Sequence, residues 1–168
     1  AMTTAHARGF GPEDVIVLAL PCTHIMALST ALLAGLAAGA TVRLMARFTV
    51  DSVLAALAEG GSVMTGVPPM FEQILRRIDV DEVAFSAPRL WLIGSGGAPL
   101  DPALKARVEA RFGRVLNNGY GLTEAGPGVS STVFGPVRAD GSIGYAYPDC
   151  AVRIDAAGGD GVGELLFR

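Results

Sequence analysis

The residues best equipped for chemistry lie in Gly119-Tyr120-Gly121-Leu122-Thr123-Glu124, directly after Arg114-Val115-Leu116-Asn117-Asn118. An aromatic ring between glycines can lie flat against a planar base, because the adjacent backbone carries no side chains. A hydroxyl and a carboxylate follow within one turn. The hydroxyl can donate to a phosphate oxygen, and the carboxylate is a hard ligand suited to Mg²⁺ shared with that phosphate. This is equipment for a nucleotide and a metal. A plain turn would use the same residues, with Thr123 as a helix N-cap and Glu124 early in the next turn, so the segment alone leaves both readings open.

A second segment, Leu90-Trp91-Leu92-Ile93-Gly94-Ser95-Gly96-Gly97-Ala98-Pro99-Leu100, reads as a buried strand running into a glycine-rich turn. Asp101-Pro102 then opens a helix. Together the two segments resemble the adenylate-forming acyl-CoA synthetases, the AMP-dependent synthetases and ligases that include fatty-acyl and aryl CoA ligases and luciferases. The resemblance implies an ATP/AMP site formed by Gly96, Gly97, Ala98, Pro99, Asn118, Gly119, Tyr120, Gly121 and Thr123. In it the Gly-Ala-Pro turn borders adenine, Tyr120 stacks on the base and Thr123 meets the α-phosphate. Glu124 is implied as the Mg²⁺ ligand, and Thr123, Glu124 and His24 as the catalytic residues.

His24 enters through Ala19-Leu20-Pro21-Cys22-Thr23-His24-Ile25, which resembles the family's Pro-x-x-His element beside the acyl pocket. Thr23 stands where the family commonly has an aromatic. Read without the resemblance, His24 is a helix-start residue satisfying local backbone groups. Ser62-Val63-Met64-Thr65-Gly66-Val67-Pro68-Pro69-Met70 resembles the family's strand and Gly-Val-Pro turn beside the acyl and CoA channel. An ordinary strand-to-helix connection would look similar.

Composition narrows the alternatives. The chain has 168 residues, 51% of them hydrophobic, enough for one domain with a real core. A formal charge of −3, a pI near 5.3 and the lack of any basic run argue against a nucleic-acid surface. The two cysteines, Cys22 and Cys150, have no metal-ligand spacing and follow no secretory segment, so reduced thiols and a cytoplasmic location are expected. Mean hydropathy is +0.45, yet the apolar stretch from Ile25 to Ala38 falls short of the roughly 20 residues a membrane span needs.

These elements require a scaffold, and the pattern supplies a parallel α/β sheet with helices on both faces, followed by the start of a small β-rich subdomain. Val15 to Leu20 is a continuous apolar run for a doubly covered strand, followed by an apolar helix from about Ile25 and a strand at Thr41 to Met45. Asp51 is expected to cap a helix ending at Gly60-Gly61, before a strand at Ser62 to Thr65. Pro69 to Arg77 reads as a helix and Leu90 to Gly94 as a strand. Next come a helix from Pro102 to Gly113 and a strand near Val115. His24, Gly66, Gly94 to Pro99 and Gly119 to Glu124 all follow strands, so they should gather at the carboxyl edge, where open α/β sheets bind ligands. From about Ala125 the pattern turns to glycine-rich loops and short strands, with a hairpin at Gly158-Gly159-Asp160-Gly161 and an exposed Glu164 on its second strand. The expected divisions are 1–12 as a lead-in bearing a cloning remnant, 13–128 as the α/β subdomain and 129–168 as the start of the β-rich subdomain.

Nothing before Val15 matches the family's phosphate loop with its lysine, and no segment matches its ribose-binding Thr-Gly-Asp or its C-terminal lysine domain. Lys105, the only lysine, is expected to be a solvated helix side chain. The reading is therefore a central fragment of an ATP-dependent carboxylate–CoA ligase, using ATP, Mg²⁺, CoA and a small carboxylic acid, and nearly inactive alone. Two rivals stay open: a non-catalytic nucleotide-binding α/β module, and an interaction fragment that forms homo-oligomers through surfaces bared by truncation.

Overall fold

Strand β1 (Val15–Leu18) is an apolar run in which Ile16, Val17 and Leu18 are all but inaccessible to solvent. A strand covered on both faces has this pattern, and β1 lies between β2 (Thr41–Leu44) and β3 (Val63–Gly66), parallel to both. The computed structural model describes residues 1–148, 150–155 and 158–168. Among them the main sheet continues through β4 (Leu92–Ser95) and β5 (Leu116–Tyr120), also parallel. Short antiparallel strands β6 (Ser130–Ser131) and β7 (Tyr145–Ala146) close it, giving the order β2-β1-β3-β4-β5-β6-β7. A separate antiparallel hairpin, β8 (Val152–Asp155) with β9 (Glu164–Phe167), follows, and Glu164 is exposed on it as expected.

The chain leaves β1 for β2 on one side and returns to β3 on the other, so the strand order reverses around β1. That reversal opens a crevice at the carboxyl ends of β1 and β3. The β1 to β2 crossover is a π-helix (Met26–Leu33) running into α2 (Ala34–Ala37), against which α1 (Met2–Arg8) packs. Residues expected to be a lead-in thus include a helix with Thr4 and Ala5 buried. The other crossovers, α3 (Val50–Ala58), α4 (Pro68–Asp79) and α5 (Pro102–Phe112), pack in sequence on one another. Phe71 of α4 meets Phe112 of α5 edge-on, with ring centroids 6.3 Å apart.

Local chemistry sets the boundaries. Asp101 caps α5 by accepting hydrogen bonds from the N–H groups of Ala103 and Leu104 at 2.6 and 3.3 Å, and Gly113 ends the helix at φ 64. The cap of α3 is Thr49, not Asp51. Thr49 is extended and its hydroxyl accepts from the Ser52 N–H, whereas Asp51 lies within the first turn and pairs with Arg77 at 2.9 Å.

Lys105 also differs from expectation. It is 2% exposed rather than solvated, because α5 lays this position against the start of β5. Its ammonium pairs with Glu109 and donates to the Leu116 carbonyl at 3.0 Å, while Glu109 accepts from the Leu116 N–H at 2.9 Å. A buried ammonium needs such partners, and here they pin the first residue of β5 to the helix.

Candidate functional site

One cavity of about 160 Å³ opens at the carboxyl edge of the sheet. It gathers His24 from after β1, Gly96 and Gly97 from after β4, and Gly119, Tyr120, Gly121 and Thr123 from the end of β5 onward. The residues span a hundred positions of sequence and meet because parallel strands end on the same side. Ala98 and Pro99 are exposed outside the cavity wall, and so is Glu124. Asn118 is buried, with its amide donating to the carbonyls of Gly141 and Ser142 at 3.1 Å each, so it ties down the later loop.

The glycine spacing has a steric cause. A Cβ on Gly121 would fall 1.7 Å from the Pro127 carbonyl oxygen, so only glycine lets these two backbone segments cross. At Gly96 a Cβ would meet the Met26 sulfur at 3.0 Å and the Gly119 carbonyl at 3.3 Å. Gly97 adopts φ 75, which favours glycine in its own right. Tyr120 is the last residue of β5 rather than part of a turn, and the residue is 38% exposed and lines the cavity. Thr123 opens a 3₁₀ turn (Thr123–Ala125) whose N-cap position is Leu122, and its side chain makes no capping bond. Thr123 is therefore not the N-cap, while Glu124 does lie early in a turn, as the plain-turn reading has it.

His24 combines both of its readings. Its Nδ1 accepts from the Met26 N–H at 3.2 Å, fixing the ring at the helix start and leaving the neutral imidazole's proton on Nε2. The same ring lines the cavity. The π-helix beyond it contributes Met26 and Thr30, and the Thr30 hydroxyl donates back to the Met26 carbonyl at 2.6 Å. Helices of this wider type often stand at functional sites.

Ser95 lies within the stretch read from the sequence, but Ser130, Tyr147 and Arg8 escape sequence reading. Ser95 and Ser130 are buried, and their hydroxyls lack a hydrogen-bond partner. A buried hydroxyl without a protein partner is costly, so these two, like the Asn118 Oδ1, are open to a partner from outside the chain. Ser130 arrives through the antiparallel pairing of β6 with β5, opposite Tyr120. Tyr147 packs edge-on to Phe134 with centroids 4.7 Å apart and sits so close to Gly128 that a Cβ there would meet its ring at 2.9 Å. Gly128, inside a Gly-Pro-Gly run, was the one sequence feature that could have flagged this wall. Arg8 reaches the cavity from α1.

Among the described residues no three His, Cys, Asp or Glu side chains cluster as a metal site. Glu124 alone still fits Mg²⁺, which commonly takes one protein carboxylate and completes its shell with phosphate oxygens and water.

A cavity at the carboxyl edge of a parallel sheet is where α/β domains bind ligands, and the comparisons with known proteins specify the family. The model of the AMP-binding enzyme family matches residues 1–168, and the chain belongs to that family. It is 32% identical over 151 residues to 4-coumarate–CoA ligase 1 of Arabidopsis thaliana, covering 89% of this chain and 25% of that protein. To 4-coumarate-CoA ligase 2 of Narcissus pseudonarcissus it is 40% identical over 120 residues, covering 70% of this chain and 21% of that protein. The structure superposes on a malonyl-CoA ligase in a ternary product complex with methylmalonyl-CoA and AMP. There the TM-score is 0.83 at 30% identity, over 99% of this chain and 37% of that one. A benzoate CoA ligase from Burkholderia xenovorans LB400 gives a TM-score of 0.83 at 27% identity, over 96% of this chain and 34% of that one. The chain thus spans about a fifth to a quarter of the length of these plant relatives. No helix among the described residues is long and apolar enough to cross a membrane.

Proposed function

We propose that this chain carries the nucleotide and acyl face of a cytoplasmic ATP-dependent carboxylate–CoA ligase. The supporting observation is the convergence of Tyr120, Gly96, Gly97, Thr123 and His24 on one cavity, in a family whose malonyl-CoA ligase member binds AMP beside its product. In the complete protein a carboxylate oxygen attacks the α-phosphorus of ATP and the bond to pyrophosphate breaks. The CoA thiol then attacks the acyl carbonyl, loses its proton and expels AMP.

The residues here serve mainly the first step. Tyr120 stacks on adenine over the bare backbone of Gly96 and Gly97, with Ala98 and Pro99 at its border. Thr123 donates to an α-phosphate oxygen, and His24 faces the acyl group with its Nε2–H. Glu124 would hold Mg²⁺, which supplies charge neutralisation at the phosphates when bound. Lys105 has no part in this, since its ammonium is buried against Glu109 and Leu116. The isolated chain is therefore expected to bind nucleotide but to form almost no acyl-adenylate.

Calorimetric titration of AMP into the chain tests the reading. Saturable binding that weakens about tenfold in Tyr120→Ala, with an unchanged melting temperature, is the expected result, because base stacking on an aromatic contributes about 1–3 kcal/mol. Absence of AMP binding, or binding indifferent to Tyr120, would refute it. In the complete enzyme, Glu124→Gln should depress carboxylate-dependent ATP–pyrophosphate exchange.

A further inference from the structure

Helix α1 ends in a way that fixes its last side chain. Gly9 adopts φ 71, its N–H donates to the His6 carbonyl at 3.1 Å, and the Phe10 N–H returns to the Ala5 carbonyl at 3.0 Å. Phe10 then packs against the core, and Thr4 and Ala5 are buried. This closed terminus holds Arg8 half-buried at the wall of the main cavity. A last-turn arginine answers the helix dipole wherever it points, but this one also faces a ligand space.

Arg8 is the only permanently charged side chain on that wall, which includes no Asp or Glu. It forms no ion pair among the described residues. Arg8, Ser95 and Gly119 also border the adjoining recess, so the three meet where the two spaces join. Gly119 immediately precedes Tyr120 in β5, which sets Arg8 beside the strand end that carries the aromatic platform. The recess measures about 10 Å³, room for about one water, so a larger partner for the guanidinium must come from the cavity. Ser95 is 5% exposed and its Oγ lacks a partner.

A guanidinium offers a planar fork of donors and a serine hydroxyl adds another, a set that fits phosphate oxygens better than any neutral part of a nucleotide. A carboxylate attacking that phosphorus is an anion as well. Two anions approach readily only where fixed positive charge offsets their repulsion.

We propose that Arg8 holds the α-phosphate of the bound nucleotide alongside Thr123, with the Ser95 hydroxyl as a further donor. Arg8 is then a phosphate-positioning residue supplied by α1, outside all of the strand-end motifs. The proposal rests on the nucleotide reading above.

AMP and adenosine differ only in the phosphate, so calorimetric titration of each into the chain at low salt isolates this contact. AMP should bind at least about tenfold more tightly, the scale of one charge-assisted contact. Arg8→Met should remove most of that ratio and leave adenosine affinity as it was. Arg8→Lys should retain part of the ratio, because an ammonium keeps the charge without the fork, and Ser95→Ala should lower it less. Added salt should narrow the gap between AMP and adenosine in the unaltered chain and scarcely change it in Arg8→Met. Tyr120→Ala should weaken both ligands alike. Adenosine binding as tight as AMP overturns the proposal alone, as does a ratio that Arg8→Met leaves intact. So does an Arg8→Met variant that loses both ligands equally, since Arg8 would then be structural. Failure of both ligands to bind the unaltered chain refutes the nucleotide reading, and the proposal with it.

Discussion

The two edges of the parallel sheet are built on opposite terms. At the amino edge, polar groups are paired with one another. Asp14, just before β1, accepts at Oδ1 from the Ser62 hydroxyl at 2.8 Å and the Trp91 indole N–H at 2.7 Å, and at Oδ2 from the Gly11 N–H at 2.9 Å. Ser62 and Trp91 precede β3 and β4, so one carboxylate ties three strand starts together. The Lys105–Glu109 pair does the same at the start of β5. At the carboxyl edge the Ser95 and Ser130 hydroxyls are buried without partners, and Arg8 has no ion pair among the described residues. One edge spends its polar groups on holding the strands, and the other, where Asn118 alone ties down a loop, leaves two buried hydroxyls unpaired.

Mutations at each edge should separate stability from binding. The largest effect is expected from Lys105→Ala, which strands the Glu109 carboxylate and frees the start of β5. A loss of about 3 kcal/mol, in the range for breaking a buried pair, should appear in urea unfolding. Asp14→Ala should come next, at about 2 kcal/mol for removing hydrogen bonds to a charged acceptor, with AMP affinity unchanged.

Asp14 also gives the comparison a pH dependence. Burial pushes its pKa up, but the hydrogen bonds from Trp91, Gly11 and Ser62 and the nearby Arg89 charge outweigh that and hold it below the ordinary carboxylate value. The folded state thus binds this proton less readily than the unfolded chain. Its contribution is full above the unfolded pKa of about 3.9 and is lost as pH falls through the folded value, so Asp14→Asn should flatten the acid limb of the stability curve. At the other edge, Ser130→Ala should change unfolding free energy by no more than about 0.5 kcal/mol, because no hydrogen bond is broken. A large loss there would mean that Ser130 is structural and would erase the contrast.

Much of the fold could be read from the sequence because its cues are local. Asp101-Pro102 and Gly113 bracket α5, and the apolar run at Val15 marks β1, without knowledge of any distant residue. The cavity's principal residues were legible for a related reason: each lies at or just after the end of a strand, and parallel strands end together. What escaped depends on pairing across the chain. Ser130 reaches Tyr120 only through antiparallel β6, and Arg8 reaches the cavity only because α1 folds onto the π-helix and α2. Lys105 misled because a charged side chain at a helical position says nothing of the strand beneath it. Asp51 misled because Thr49, two residues earlier, has the extended backbone a cap requires.

The π-helix Met26–Leu33 has a consequence for how this pocket could vary among relatives. Its wider turns hold an extra residue relative to an α-helix, and deleting one residue would let the segment relax to ordinary α-helical winding. The flanking turns would keep their phase, because the residue removed is the one that the wider turn had absorbed. Only the wall from Met26 to Thr30 would tighten, while the strands on either side kept their places. A single codon lost or gained at this wall could therefore reshape the acyl space without disturbing the sheet.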